Sequence, residues 1–169
     1  MKKKYSIWIM PTGSAAEILD TEIKRLAELF HFTPFVPHLT ILGTLNAEES
    51  DAIAKCEQLA QKVQPFQLKS NEVSFSTTFF QNVLLRAQMS AELGSCYLTA
   101  SEVCETEVGM YMPHFSLVYG NHTMSQREEI ANAAQIKPFE FTVDRIHLFE
   151  TNTMEYTKWR EVGEYALEG

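Results

Sequence analysis

The chain has 169 residues, of which 45% are hydrophobic, so it can bury a core as one domain or as two small lobes that share a core. Its 14 basic and 22 acidic residues give a formal net charge of −8, which argues against a protein that holds long nucleic acids through many lysine and arginine contacts. A small anionic ligand in a locally positive pocket remains compatible with this composition.

Neither the cysteines nor the start of the chain indicate export. Cys56, Cys96 and Cys104 have neither CxxC nor zinc-ligand spacing, so we expect reduced core residues. The apolar stretch Tyr5–Met10 behind the basic Met1–Lys4 is too short for a signal peptide, and no segment reaches transmembrane length. These features predict a cytoplasmic protein that makes no membrane contact.

Hydrophobic periodicity predicts strands and helices that alternate along most of the chain. The helices carry apolar residues at the spacing of elements that lie on a sheet, as in Leu19, Ile23 and Leu26. The predicted strands are Tyr5–Met10, Phe35–Leu42, Phe66–Phe75, Phe79–Gln88, His114–Tyr119, Phe139–Phe149 and Tyr156–Tyr165. The predicted helices are Ser14–Phe30, Ala47–Val63, Ala91–Cys104 and Gln126–Ile136.

The order of elements repeats after 76 positions. That shift aligns Tyr5–Met10 with Gln81–Arg86, and it aligns the predicted helices that follow. The chain is therefore predicted to contain two β-α-β-α-β units followed by a closing strand. Such units tend to pack about a pseudo-two-fold axis. We therefore predict one bilobal α+β domain with lobes at about 5–75 and 79–165, and a central groove between the lobes.

Each unit carries a histidine followed two places later by a hydroxyl residue. The segments are Pro37-His38-Leu39-Thr40 and Pro113-His114-Phe115-Ser116. Side chains at i and i+2 of a strand share a face, so each segment aims an imidazole and a hydroxyl the same way. One neutral and one charged imidazole suit general base and general acid roles in opening a cyclic phosphodiester, while the hydroxyls can hold phosphate oxygens.

A structural interpretation competes with this one. A single His-x-Thr in a strand is usually a core or surface element without function. Two copies in the same apolar context favour a site, because a repeated structural unit explains repeated hydrophobic residues but not repeated histidine. Gly109–Pro113 and Ser76–Gln81 are the expected walls of the groove, where aromatic side chains could stack on a base or belong to the core. Tyr119 could bond a phosphate or cap the sheet.

These elements resemble the 2H phosphoesterase superfamily, in particular its cyclic phosphodiesterase branch. The resemblance spans nearly the whole chain. Its specific segments are Tyr5–Pro11, Phe35–Thr40, Phe79–Val83, Tyr111–Tyr119 and Thr151–Val162. Thr78 departs from the pattern, because relatives often carry an aromatic residue there. The resemblance therefore does not determine which residues stack on a base, or which substrate is preferred.

The resemblance implies two antiparallel sheets that face a central groove, with helices outside. It implies His38 and His114 as catalytic residues, Thr40 and Ser116 as phosphate-binding residues, Tyr119 as an accessory contact, and no metal or other cofactor. By the same analogy His114 activates water and His38 protonates the leaving ribose oxygen, an assignment that can be reversed.

The resulting hypothesis is a monomeric, metal-independent hydrolase of small ribose cyclic phosphates, either ADP-ribose 1″,2″-cyclic phosphate or nucleoside 2′,3′-cyclic phosphates. One alternative is an RNA-end 2′,3′-cyclic phosphodiesterase or ligase-like enzyme of RNA metabolism, which the acidic charge disfavours. The other is a nucleotide-binding module without turnover, for which two titrating rings would be unnecessary.

Overall fold

The computed structural model describes residues 1–169 and contains eight strands and four helices. The strands are β1 (Lys3–Ile9), β2 (Leu39–Ala47), β3 (Phe66–Phe75), β4 (Val83–Ala87), β5 (His114–Val118), β6 (Glu140–Val143), β7 (Arg145–Glu150) and β8 (Arg160–Ala166). The helices are α1 (Gly13–Phe30), α2 (Glu49–Lys62), α3 (Ala91–Val103) and α4 (Met124–Ala133). None of the helices combines the length and the apolar character needed to cross a bilayer.

All strands belong to one antiparallel sheet with the order β6-β3-β4-β5-β2-β1-β7-β8. The sheet has two four-stranded halves, β6-β3-β4-β5 and β2-β1-β7-β8, which correspond to the two predicted sheets. A single residue pair, Leu39 with Phe115, joins β2 to β5 at the centre. The predicted groove therefore lies where the two halves meet.

The halves of the sheet do not coincide with the segments 5–75 and 79–165. β3 pairs with β4 and β6 in one half, whereas β7 pairs with β1 and β8 in the other. The first segment thus contributes β3 to the half that otherwise comes from the second segment, and the second segment contributes β7 and β8 to the half that contains β1 and β2. One core of 37 buried hydrophobic residues extends through both halves, so the halves share their interior.

Four predicted strands differ from those observed. One of them, Phe79–Gln88, is shorter, because the observed strand β4 begins only at Val83. The predicted strand Phe139–Phe149 is wrong as one element, because the chain leaves β6 at Asp144 and enters β7 in the opposite half. The predicted strand Phe35–Leu42 begins only at Leu39, because Pro37 lacks the N–H that a strand ladder uses. The start of the predicted strand Tyr156–Tyr165 is a 3-10 turn.

The two faces of the sheet have different roles. In β1, Tyr5, Ile7 and Ile9 are fully buried in the core, to which the helices also contribute. The residues between them, Ser6 and Trp8, lie outside that core and line a cavity on the opposite face. This period-two alternation leaves one face of the central strands free for a site.

The segment between β3 and β4 is held in place by Arg127 of α4. Its guanidinium is buried and donates hydrogen bonds to the carbonyl oxygens of Ser76, Thr78 and His122 at 2.6, 2.9 and 2.9 Å. Asn82 supports the same segment by donating to the carbonyl oxygen of Gly120 at 2.7 Å. These bonds fix the residues that precede β4.

Replacing Arg127 by Met should lower the free energy of unfolding by about 2–4 kcal/mol, because three carbonyl oxygens lose a charged donor. The measurement is urea unfolding followed by circular dichroism. Lys137→Met, at an exposed position, is the control and should change stability by less than about 0.5 kcal/mol. Equal stability of the two variants would contradict this account of the Arg127 contacts.

Candidate active site

All five residues singled out from the sequence line one cavity of about 310 Å³ on the open face of the sheet. They are His38, Thr40, His114, Ser116 and Tyr119. The cavity lies over the junction of β2 and β5, so the structure brings the two repeated motifs together.

The pairing of Leu39 with Phe115 determines how the motifs face each other. Extending this antiparallel register by one residue in each direction places His38 opposite Ser116 and His114 opposite Thr40. Directly opposed side chains share a face, with Cβ atoms about 4.5–5.5 Å apart. Each imidazole is therefore a neighbour of the hydroxyl residue from the other motif.

The two imidazoles are held by the same type of hydrogen bond, to the carbonyl oxygen of the residue two places earlier in the chain. Nδ1 of His38 lies 2.8 Å from the carbonyl oxygen of Val36, and Nδ1 of His114 lies 2.8 Å from that of Met112. A carbonyl oxygen can only accept, so Nδ1 carries the proton in both rings. In the neutral ring Nε2 is then an unprotonated base, available to the cavity.

Both imidazoles are neutral in the free protein at neutral pH. Burial lowers the pKa of His38 to about 4, partly offset by the bond to Val36 and reinforced by the nearby His114. Burial also lowers the pKa of His114, and the positive charge of Arg86 acts in the same direction. Arg86 stands opposite His114 across β4 and β5.

The three hydroxyl residues differ in how they are engaged. The Ser116 hydroxyl donates to the carbonyl oxygen of Phe80 at 2.8 Å, whereas the Thr40 hydroxyl has no protein partner. The Tyr119 hydroxyl lies 3.5 Å from Nε2 of His38, and burial raises the pKa of this phenol. Tyr119 is therefore a neutral donor beside His38.

An aromatic wall that the sequence analysis did not assign to the site lies beside His38. Trp8 stacks on the His38 ring with centroids 3.6 Å apart and on Phe149 at 3.9 Å. The Trp8 indole donates to Oγ of Ser6 at 2.6 Å, and the Ser6 hydroxyl donates to the carbonyl oxygen of Leu42. Trp159 and the loop 151–154 complete this side of the cavity, next to Phe80 of the expected wall Ser76–Gln81.

One of the two segments predicted as walls of the groove does not line the cavity, so that prediction is wrong. No residue of Gly109–Pro113 lines the cavity. The Tyr111 ring stacks on Tyr97 of α3 at 4.3 Å, and its hydroxyl donates to the carbonyl oxygen of Thr40, so Tyr111 supports the site from outside. From the other expected wall, Ser76–Gln81, only Phe80 and Gln81 line the cavity.

No carboxylate or cysteine lines the cavity, although the chain has 22 acidic residues. One group of three side chains has ligand atoms close enough together to hold a metal ion, and it lies outside the cavity. It consists of His147, Glu161 and Glu164. His147 bonds Glu161 at 2.6 Å, and Glu164 is paired with Arg145. The cavity itself offers imidazoles and hydroxyls in a setting that favours anions.

The sequence and the fold are similar to known proteins over nearly the whole chain. The model of the family described as cyclic phosphodiesterase-like protein matches residues 3–157. A cyclic phosphodiesterase from Arabidopsis thaliana is 25% identical over 166 residues, which cover 92% of this chain and 90% of the relative.

Solved structures share the fold at lower sequence identity. The protein TT0787 of Thermus thermophilus superposes with a TM-score of 0.66 at 16% identity, covering 98% of each chain. Escherichia coli LigT, solved with 3′-AMP, superposes with a TM-score of 0.64 at 17% identity, covering 100% of each chain. The predicted α+β class, with its antiparallel sheet halves and helices on one side, is confirmed.

The environment of the two histidines predicts their protonation. Nitrogen-15 chemical shifts at pH 7 should report neutral rings protonated at Nδ1 for both His38 and His114, and His38 should acquire its second proton only near pH 4. His31, which is exposed, provides an internal reference. Titration of His38 at or above pH 6.5, or a ring protonated at Nε2, would contradict this description of the site.

Proposed function

This chain belongs to the cyclic phosphodiesterase-like family of the 2H phosphoesterase superfamily, and from that membership we propose that it hydrolyses small ribose cyclic phosphates to phosphomonoesters without a metal ion. The proposed substrates are ADP-ribose 1″,2″-cyclic phosphate or nucleoside 2′,3′-cyclic phosphates. The observation that carries the proposal is the convergence of two His-x-Ser/Thr motifs on one cavity through the Leu39–Phe115 pair.

In the proposed reaction, Nε2 of His114 accepts a proton from water while the water oxygen attacks phosphorus. The bond from phosphorus to one ribose oxygen breaks, and protonated His38 gives its Nε2 proton to that oxygen. Thr40, Ser116 and Tyr119 hold the non-bridging oxygens, on which negative charge develops. His114 then loses its proton to solvent, and His38 takes up a proton from solvent when the next phosphate binds.

Substrate binding favours the protonation of His38 that this cycle requires. Burial keeps His38 neutral in the free protein, but a phosphate anion beside the ring favours its protonated form. Trp8 adds to this effect, because the face of an indole attracts a cation stacked on it. The stacking of Trp8 on His38 supports His38 as the acid, and Nε2 of His114, which has no protein partner, supports that residue as the base.

Replacing either histidine should be more damaging than replacing either hydroxyl residue. We expect His38→Ala and His114→Ala each to lower kcat/KM by about 10²–10⁴-fold, the usual range for loss of a general acid or base. The double variant should lose much less than the product of the two, because the rings act in one step. Thr40→Ala and Ser116→Ala should each have a smaller effect.

The measurement is steady-state hydrolysis of adenosine 2′,3′-cyclic phosphate by correctly folded variants. The control is His31→Asn, because His31 is an exposed left-handed helix cap whose conformation Asn tolerates. Near wild-type turnover by both His38→Ala and His114→Ala would show that the motifs are structural.

Activity should also survive a large excess of EDTA, because the proposed proton carriers and phosphate ligands are imidazoles and hydroxyl groups. The measurement compares kcat before and after dialysis against chelator. Complete loss of activity that zinc or manganese restores would replace this mechanism with one based on metal-activated water.

A further inference from the structure

A buried imidazole and two carboxylates meet outside the cavity. One ligand atom of each of His147, Glu161 and Glu164 lies within 4.8 Å of the others. The His147 residue is 8% exposed, and its Nδ1 lies 2.6 Å from Oε1 of Glu161. None of these three side chains lines the cavity, and the proposed hydrolysis uses none of them.

The pairing of β7 with β8 places the three side chains on one face of the sheet. His147 is directly opposed to Glu164, so their side chains share a face, with Cβ atoms about 4.5–5.5 Å apart. Glu161 is opposed to Phe149, which stands two places after His147 in β7 and therefore points the same way. On its other side His147 is opposed to Trp8 of β1, so the face is the open one.

A β-bulge in β8 makes this convergence possible. Residues three apart in a regular strand, as Glu161 and Glu164 are, point to opposite faces. In β8 the register shifts between Glu161 and Gly163, so this strand holds one residue more than its partner. The extra residue brings both carboxylates to the same face. Val162 and Tyr165, which follow the two glutamates, both pack against the core on the other side.

This donor set fits a divalent transition metal, and zinc in particular. One imidazole nitrogen and two carboxylate oxygens supply three ligands at about 2.0–2.2 Å and leave a fourth tetrahedral position to water. Tetrahedral ligands at that distance stand about 3.3 Å apart, and the two glutamates, which are about half exposed, can reach it by turning their side chains. Mg²⁺ and Ca²⁺ prefer oxygen ligands alone, so the imidazole selects against them.

The charges around the group also favour a dication. Arg145 bonds Glu164 at 3.1 Å, but it has a second carboxylate partner in Asp144 at 3.0 Å. Arg145 therefore remains paired when Glu164 turns towards a metal ion. Because Arg145 and Asp144 balance each other, Glu161 and Glu164 leave two negative charges that a dication would neutralise.

We propose that His147, Glu161 and Glu164 form a zinc site that links β8, the edge strand of the sheet, to β7. The site is separate from the proposed hydrolysis, which takes place in the cavity. A metal ion held by both strands binds only the folded protein, so it stabilises this edge of the sheet. The loop 151–154 and Trp159, which line the cavity, lie between β7 and β8 in the chain, so the site also secures the segment that carries them.

The test is calorimetric titration of EDTA-treated, dialysed protein with Zn²⁺. We expect one zinc ion per chain, and a rise in Tm of about 5–10 °C at a zinc concentration 100-fold above Kd, whereas Mg²⁺ should give no rise. Glu161→Gln and Glu164→Gln, which keep the side-chain size, should each weaken zinc binding by at least about 10-fold. The control is Glu107→Gln, which removes the same charge at an exposed position elsewhere and should bind zinc like the wild type.

Nitrogen-15 spectra identify the ligand independently of the affinity. One equivalent of Zn²⁺ should shift the ring nitrogens of His147 and leave those of the exposed His31 unchanged. Equal zinc affinity in all three glutamate variants, a shift at His38 and His114 in place of His147, or no binding would overturn the proposal. Hydrolysis is not part of either measurement, so the result does not depend on the proposed reaction.

Discussion

The site depends on the backbone pairing between Leu39 and Phe115, the point at which β2 meets β5. Each of these residues is fully buried and follows a histidine directly in sequence. Their side chains anchor both strands in the core, so the flanking residues must point to the opposite face. A one-residue slip of either strand would turn its imidazole into the core, which makes the hydrophobic pattern of the strands a determinant of the site geometry.

The second constraint is electrostatic and follows from burial. His38 is only 7% exposed, and burial lowers the pKa of its imidazole because the charged form loses hydration. The carbonyl oxygens of Val36 and Met112 orient the neutral rings, and the absence of carboxylates from the cavity leaves no competing partner for a cation. In the free site both imidazoles are thus uncharged, and an anionic ligand favours the protonation that acid catalysis needs.

The sequence was sufficient where the deciding interactions are local. The alternation of side chains along a strand is a local rule, so His38 and His114 could be assigned to one face with their hydroxyl partners. The break at Asp144 could not be predicted, because it depends on strand partners in opposite halves of the sheet. Trp8 alternates with core residues in β1, a signal that could have placed it on the open face, but its stacking on His38 depends on the tertiary pairing of β1 with β2. Tyr111 was misassigned because it stacks on Tyr97 of the preceding helix α3, a contact that depends on how the loop after that helix folds back.

The pH dependence of kcat/KM for a ribose cyclic phosphate tests most directly whether the two imidazoles act as one acid–base pair. The profile reports the free enzyme, in which burial lowers the pKa of both histidines, so the account predicts a bell-shaped curve with its maximum below pH 6.5. The profile of kcat should reach its maximum at higher pH, because the bound phosphate raises both pKa values. A flat profile, or a single limb that neither histidine replacement alters, would contradict the paired-histidine mechanism.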